Sequence, residues 1–482
     1  MSRRFLAFLV SLVLAFALLA GCSQSAPAPT TAPATRPPAA SAPTSASGPA
    51  QQATTPAASS AATPAATSAA AQSQFNWKQF SGQKIVLLVE QHPWTTAIQP
   101  LISQFETLTG IQVETQVFTE QQQRQKSQIA LQAKSPEFDV FMSLKSFEGW
   151  KYARAGYYEP LEPYLNNPQL TPSDFDSKDF LAGAFNGEKI DGKLYGLPII
   201  VEGPVIFYRS DLFKQYNIAP PKTMADIETA AAAIKKDSNG SIYGVTLRGL
   251  PQAVAYTFGP FYHNEGLQWL TSDNKPQLSD PKGVAALDYY GKLAREYGPP
   301  GVVQYSFYQS SSLFASGKVG MEIESSNELS TIIDPKSSQV VGKVDVIPFP
   351  PGPGGDHPTE LQWGISMNAF SQHKDAAWLF MVWATSKQME ADLALKGIAS
   401  PRASSWETSQ FKASLTDQLR KDWAAAVQHT VAVGNAEVGP PAVDEPQVRQ
   451  IIGDMVDSVI LGQSTAADAA KKADAALAPL VK

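Results

Sequence analysis

Cysteine is all but missing from this chain. Cys22 is the only one among 482 residues, so no internal disulfide can staple the fold, and a free thiol outside the cell needs a cap. Charge is thin as well. Asp, Glu, Lys and Arg make up 17% of the chain, below the usual quarter. The formal net charge of −6 offers no basic face to phosphates, which excludes nucleic acid as a partner. The five histidines are dispersed, with no His-x-x-x-His pair, so no zinc site is expected. Gly352-Pro-Gly-Gly355 is not followed by Gly-Lys-Ser/Thr and is no phosphate loop. A hydrolase elbow, Gly-x-Ser-x-Gly, is absent. Tyr289 and Tyr290 sit in a helical pattern, Leu287 to Tyr297, where neighbours diverge by about 100°, so core packing explains them better than an iron site. Nothing points to a cofactor, a metal or a catalytic role.

What is present begins with an address. Arg3 and Arg4 precede an apolar run of 15 residues, Phe5 to Leu19. That is short for a membrane span and suits a secretory signal. The run ends in Leu19-Ala20-Gly21-Cys22, which looks like a bacterial lipobox. Small residues fit the signal peptidase, the thiol takes a diacylglycerol, and cleavage leaves Cys22 as a lipidated first residue. Two or more acyl chains anchor stably, at roughly 0.8 kcal/mol per buried methylene. The expected location is extracytoplasmic, lipid-anchored to a bacterial membrane. The plainer alternative is an ordinary secretory signal with an incidental cysteine. Loss of the leader removes Arg3 and Arg4 and moves the net charge from −6 to −8.

Ser23 to Gln74 is almost all Ala, Pro, Ser and Thr, with Arg36 its single charge. Such a composition buries too little apolar surface to offset chain entropy. It reads as a disordered tether spanning about 40 Å as a coil, or as a glycosylated stalk in the same role. Residues 1–21 are thus a signal with lipobox, and 22–74 the lipidated cysteine and tether.

Folded pattern starts near Phe75. Ile85–Val89 is a short apolar run, a buried strand. Ile98, Leu101, Ile102, Phe105 and Leu108 recur at helical spacing, and Gly110 stands at the C-cap. Ile111–Val117 and Phe138–Met142 are further strands, so a right-handed parallel crossover is expected. Thr223 is placed to cap a helix from Met224 to Lys236. Val319–Ile323 and Val344–Ile347 read as strands, Asp375–Ala384 and Val448–Leu461 as helices. The class is α/β with parallel-rich sheets flanked by helices.

Several segments in order resemble one family. Phe105-Glu-Thr-Leu-Thr-Gly-Ile-Gln-Val113, Asp191-Gly-Lys-Leu-Tyr-Gly-Leu-Pro198 and Tyr208-Arg-Ser-Asp-Leu-Phe213 are similar to stretches of sugar-type extracellular solute-binding proteins. So are Pro221-Lys-Thr-Met-Ala-Asp-Ile227, Gly317-Lys-Val-Gly-Met-Glu-Ile323, Trp363-Gly-Ile-Ser366 and Gly397-Ile-Ala-Ser-Pro-Arg402. The resemblance runs from about residue 80 to the end, and lies nearest the maltose- and sorbitol/mannitol-binding group. It implies the type II periplasmic-binding-protein-like fold: two lobes on a hinge, closing on ligand. The implied chain crossings lie near Val201 to Pro204, near Pro348 and near Phe370. Lobe 1 is then 75–201 and 348–369, and lobe 2 is 204–345 and 370–482. The implied function is capture of a sugar or polyol for an ABC importer, by a monomer whose partners are that ligand, the permease subunits and, through its anchor, the membrane.

Sugars and polyols carry dense hydroxyls and apolar C–H faces, so their site needs aromatic platforms beside polar groups, at the carboxyl ends of strands. Gln91, His92 and Trp94 follow the first strand and have that composition, although Trp94 also suits a helix-start staple. Lys145 and Ser146 follow the third strand. Glu202 sits at the implied hinge. Tyr262 and Asn264 lie in an aromatic and amide-bearing loop, with core packing as the alternative. Glu324 and Asn327 follow the strand Val319–Ile323. Trp363 and Arg402 complete the set, the guanidinium able to fork onto adjacent hydroxyls or merely to pair with a carboxylate. Other readings remain open here: a surface glycoside hydrolase using Glu202 and Glu324, a binding protein for a polyamine, iron or an anion, and a tethered adhesin or sensor.

Overall fold

The computed structural model describes residues 75–481. The signal segment, Cys22 and the tether lie outside the described residues. Strand β1 (Lys84–Glu90) is apolar and buried over Leu87 to Val89. The helix Ile102–Thr109 then returns the chain, stopped by Gly110 at φ 73, whose N–H closes on Glu106. That left-handed position is where a glycine is needed. β2 (Gln112–Phe118) follows, parallel to β1. The helix Glu120–Gln132, opened by a Thr119/Gln122 capping box, leads to β3 (Val140–Ser143), on the other side of β1. A short ribbon, β4 (Lys189–Ile190) with β5 (Lys193–Leu194), precedes β6 (Leu197–Glu202).

The second sheet begins one residue later. β7 (Pro204–Arg209) pairs with β9 (Val319–Ser325) and β10 (Val344–Pro348), and β8 (Tyr243–Thr246) lies outside β9. β11 (Leu361–Met367) returns to the first sheet. The orders are β2-β1-β3-β11-β6 and β10-β7-β9-β8. The sheets are more mixed than expected. β1–β2, β1–β3 and β8–β9 are parallel, as crossover helices require. β11 and β7 run against both neighbours, because each enters its sheet directly from the other one, without a crossover.

The chain passes between the sheets at Gly203, between β6 and β7, and again between Pro348 and Leu361. At Gly203 a Cβ would collide with the Thr359 carbonyl and the Thr430 side chain, so only glycine lets the strands cross there. The third passage differs from expectation. It is not near Phe370, since the helix Lys374–Ala384 packs in the core of the first sheet, with Phe380 5.3 Å from Phe105. Ala376 to Ala384 are buried all round, and a helix apolar on every face needs cover on every face. The chain moves over only around 394–402, where Ala394 and Ala399 join the core on one face of the second sheet.

β7 shows why the second sheet is buried on both sides. Ile206 and Tyr208 face one core, with Ile227, Phe258, Tyr290 and Ile452. Val205 and Phe207 face the other, with Trp423 and Val427 of the helix Gln418–Val433. Alternate residues of a strand point to opposite faces, and helices cover both.

Candidate binding site between the sheets

Strand direction brings one edge of each sheet together. β1, β3 and β6 end there at Glu90, Ser143 and Glu202, and β9 ends there at Ser325, opposite Pro204. Glu202 is the meeting point. Its Oε2 accepts from Ser325 Oγ at 2.5 Å and Asn327 Nδ2 at 3.1 Å, and its Oε1 accepts from Trp363 Nε1 at 3.2 Å. Burial pushes the Glu202 carboxyl above the usual range, and the Ser325 and Asn327 bonds oppose that rise. Asn327 also accepts from the Ala399 amide at 2.7 Å, so one amide ties the end of β9 to the third passage.

Around Glu202 lies a narrow cavity of about 20 Å³, walled by His92, Glu120, Phe147, Arg248, Tyr256, Phe307 and Trp363. It opens past His92, Phe307 and Glu328 into an outer groove that includes Gln91 and Tyr308. The His92 ring lies 5.3 Å from Trp363 and 5.9 Å from Phe307. Its Nδ1 accepts from the Trp94 amide at 3.3 Å. Burial holds the His92 pKa down at about 3, so the ring is neutral at physiological pH. Arg248 donates Nε to both oxygens of Glu324, at 2.8 and 3.1 Å, and Nη2 to Oε1. Its guanidinium covers the Tyr256 ring at 4.4 Å. Aromatic walls with interspersed donors and acceptors match a molecule that has C–H faces and hydroxyl edges.

Of the residues singled out from the sequence, His92, Glu202 and Trp363 line the cavity, and Gln91 and His92 line the groove. Asn327 and Glu324 stand directly behind, bonded to Glu202 and Arg248. The others are elsewhere. Trp94 is 1% exposed and turned into the core of the first sheet, because an apolar ring in the first turn of a helix buries itself when it can. Lys145 is held within the first lobe by Ser366 Oγ at 2.7 Å and Glu188 at 2.9 Å. Ser146 lines a separate small cavity beneath Val438 to Pro441. Tyr262 stacks on Trp269 at 4.9 Å and donates to the Gln268 and Gln277 carbonyls. Asn264 caps its helix and pins Pro350 and His357. Arg402 is clamped by the carbonyls of Thr385, Asp176 and Phe175 and by Asp179, over the Phe180 ring at 3.8 Å. Lys145, Tyr262, Asn264 and Arg402 are engaged by these partners, away from the cavity around Glu202.

Sequence reading passed over Arg248, Glu120, Phe147, Tyr256 and Phe307. Arg248 stands two residues past Thr246, the carboxyl end of β8, so the strand-end rule reaches it. Glu120 opens the helix after β2 and pairs with Arg124 at i+4, at 3.1 Å, a spacing visible in sequence. Tyr256 and Phe307 lie on helices, and nothing local marks them as cavity-facing.

Residues 91–391 match the family described as bacterial extracellular solute-binding protein, and the chain belongs to that family. An erythritol/L-threitol-binding protein of Mycolicibacterium smegmatis is 27% identical over 71% of this chain and 75% of its own length. A mannitol-binding protein of Pseudomonas aeruginosa is 28% identical over 55% of this chain and 60% of its own length. The crystal structure of an ABC transporter solute-binding protein from Agrobacterium radiobacter in complex with ribitol matches with TM-score 0.73 and 25% identity. It covers 82% of this chain and 98% of that one. The fold is that of the type II sugar-binding proteins. The family is one of binding proteins, not enzymes, which sets aside the glycoside hydrolase reading. Glu324 is in any case engaged by Arg248, and Glu202 by three donors.

Proposed function

We propose that this extracellular solute-binding protein captures a sugar or polyol by closure of two lobes and delivers it to the permease of an ABC importer. One observation carries the reading. Glu202, at the crossing between the sheets, joins Ser325 and Asn327 from one side to Trp363 from the other, beside a cavity with aromatic walls and both donors and acceptors. The relatives named for erythritol, threitol and mannitol, and the structure holding ribitol, support a polyhydroxy ligand. The lobes are 75–201 with 361–393, and 204–348 with 403–481, hinged at Gly203 and at the two later passages. His92, Glu202, Arg248 and Trp363 contact the ligand. Closure follows because the ligand binds the joined lobes better than the parted ones.

The protein acts as a lipid-anchored monomer, with Cys22 as its acylated residue and 23–74 as its tether. Cys22→Ser should then free it from membranes without altering affinity. Retention in the salt-washed membrane fraction would refute the anchor. Function is tested by thermal-shift screening with polyols, mono- and oligosaccharides, followed by calorimetry. Stabilisation by a polyol or sugar that is recovered unchanged is expected. Response to amino acids alone would overturn the reading.

A further inference from the structure

A second polar cluster adjoins the cavity, and its bonding is incomplete. Glu90, the last residue of β1, is fully buried, and neither carboxylate oxygen has a hydrogen-bond partner among the described residues. Arg124 donates Nε to Glu120 and Nη1 to Glu148, while its buried Nη2 has no partner. Arg449 comes from the other side, on the helix Glu445–Ile460, whose Ile452, Met455 and Val456 pack in the core of the second sheet. Its Nη1 donates to the Gln252 carbonyl at 3.0 Å, and its Nε is buried without a partner. Both guanidiniums attend the same ring: Arg449 lies 3.6 Å from the centre of Phe147, and Arg124 lies 5.0 Å from it. Phe147 and Glu120 are cavity wall, and Arg124 is 5.3 Å from Trp363 on that wall.

We propose that Glu90, Arg124 and Arg449 form a subsite for a vicinal diol of the ligand, completed only when the two lobes meet. It rests on the function proposed above and adds the chemistry of one part of the site. Leaving a buried charged group unbonded is costly, and here acceptors and donors are left over together without satisfying one another. The signs select the ligand. A phosphate would answer the two guanidiniums but face Glu90, Glu120 and Glu148. An ammonium would answer those carboxylates but face Arg124 and Arg449. A neutral group that both donates and accepts meets no like charge, and each hydroxyl does both. Two adjacent hydroxyls offer two donors towards Glu90 and acceptor oxygens towards the arginines. Burial also pushes the Glu90 carboxyl upward; once protonated it still accepts and can donate, so the match is kept. Because Arg449 belongs to the second lobe, the diol bridges the lobes and favours closure.

The test uses the mature protein and the variants Glu90→Gln, Arg449→Lys and Arg449→Ala. Probes are erythritol, ribitol, D-mannitol, inorganic phosphate, putrescine, and an analogue of the best polyol lacking one hydroxyl of a vicinal pair. Wild type should bind a polyol, and Glu90→Gln and Arg449→Ala should bind it at least tenfold more weakly. Against the deoxy analogue the variants should lose far less, a difference that a merely structural role would not produce. Arg449→Lys and Glu90→Gln keep the test valid if Arg449→Ala does not fold. Wild-type binding of a polyol with unchanged affinity in folded variants would overturn the subsite and leave the function standing. Binding of phosphate or putrescine alone would overturn both, as would a wild type that responds neither to these probes nor to the mono- and oligosaccharides of the wider screen.

Discussion

Arg248 and Arg402 are both buried, and both lie against aromatic rings, yet they belong to different parts of the protein's work. Arg402 is answered by three backbone carbonyls and Asp179. Carbonyls are fixed to the chain, so this guanidinium fastens the segment 175–179 to the loop that follows Thr385. Arg248 is answered by a single side chain, Glu324, and shows the rest of itself to the cavity. A buried charge spent on backbone holds the fold. One paired at its back to another side chain keeps a face for a ligand. Trp94 and Trp363 repeat the contrast: the first is sealed in one core, and the second donates to Glu202 across the cavity.

The contrast can be tested, starting where the effect should be largest. Arg402→Ala strands three buried carbonyls and Asp179 and should destabilise the protein by about 3–5 kcal/mol, with affinity unchanged in what remains folded. Denaturant unfolding beside calorimetric titration checks this. A variant as stable as wild type with lost binding would reverse the assignment. Arg248→Ala should do the opposite, weakening polyol or sugar binding on the order of 100-fold, the ~2–3 kcal/mol of a charge-assisted bond left unmade. If affinity holds, Arg248 is scaffolding like Arg402.

Trp363→Phe should cost about tenfold in affinity, through one lost hydrogen bond, while Trp94→Phe leaves titrations as they were and lowers only the melting temperature. Equal affinity losses in the two would erase the distinction. The last contrast is read in stability rather than affinity and concerns Glu328, at the mouth of the cavity. Burial, followed by repulsion from Glu324, pushes its pKa up to about 8. Its protonated form is favoured by folding, so its contribution is full below the ordinary carboxylate pKa and is lost as pH rises towards 8. Melting temperature should therefore fall more for wild type than for Glu328→Gln between pH 5 and pH 8. Parallel curves would show Glu328 to be solvated.

Much of this was legible in the chain. The helix stop at Gly110, the Thr223 cap, and strands β1, β2, β9 and β10 lie where local pattern put them. Glu202 was reached through the family resemblance, which implies a hinge near Val201 to Pro204, and the structure places it on the cavity wall. Arg402, Lys145 and Asn264 misled because their chemistry suits a ligand as well as it suits a carbonyl or a carboxylate, and composition does not say which lies within 3 Å. Arg449 was reachable by neither motif nor strand end, since more than 300 residues separate it from the Phe147 ring it covers.

The sequence by itself determined the kind of elements and the burial of the first strand. Those follow from periodicity and caps, which are local; the clearance at Gly203 is set by Thr359 and Thr430, far along the chain. Tertiary structure alone decided which buried charges were left with a free face. A hydrogen bond is a matter of a few ångströms between residues far apart in the chain, and only packing of the lobes brings Ser325 to Glu202 and Arg449 to Phe147.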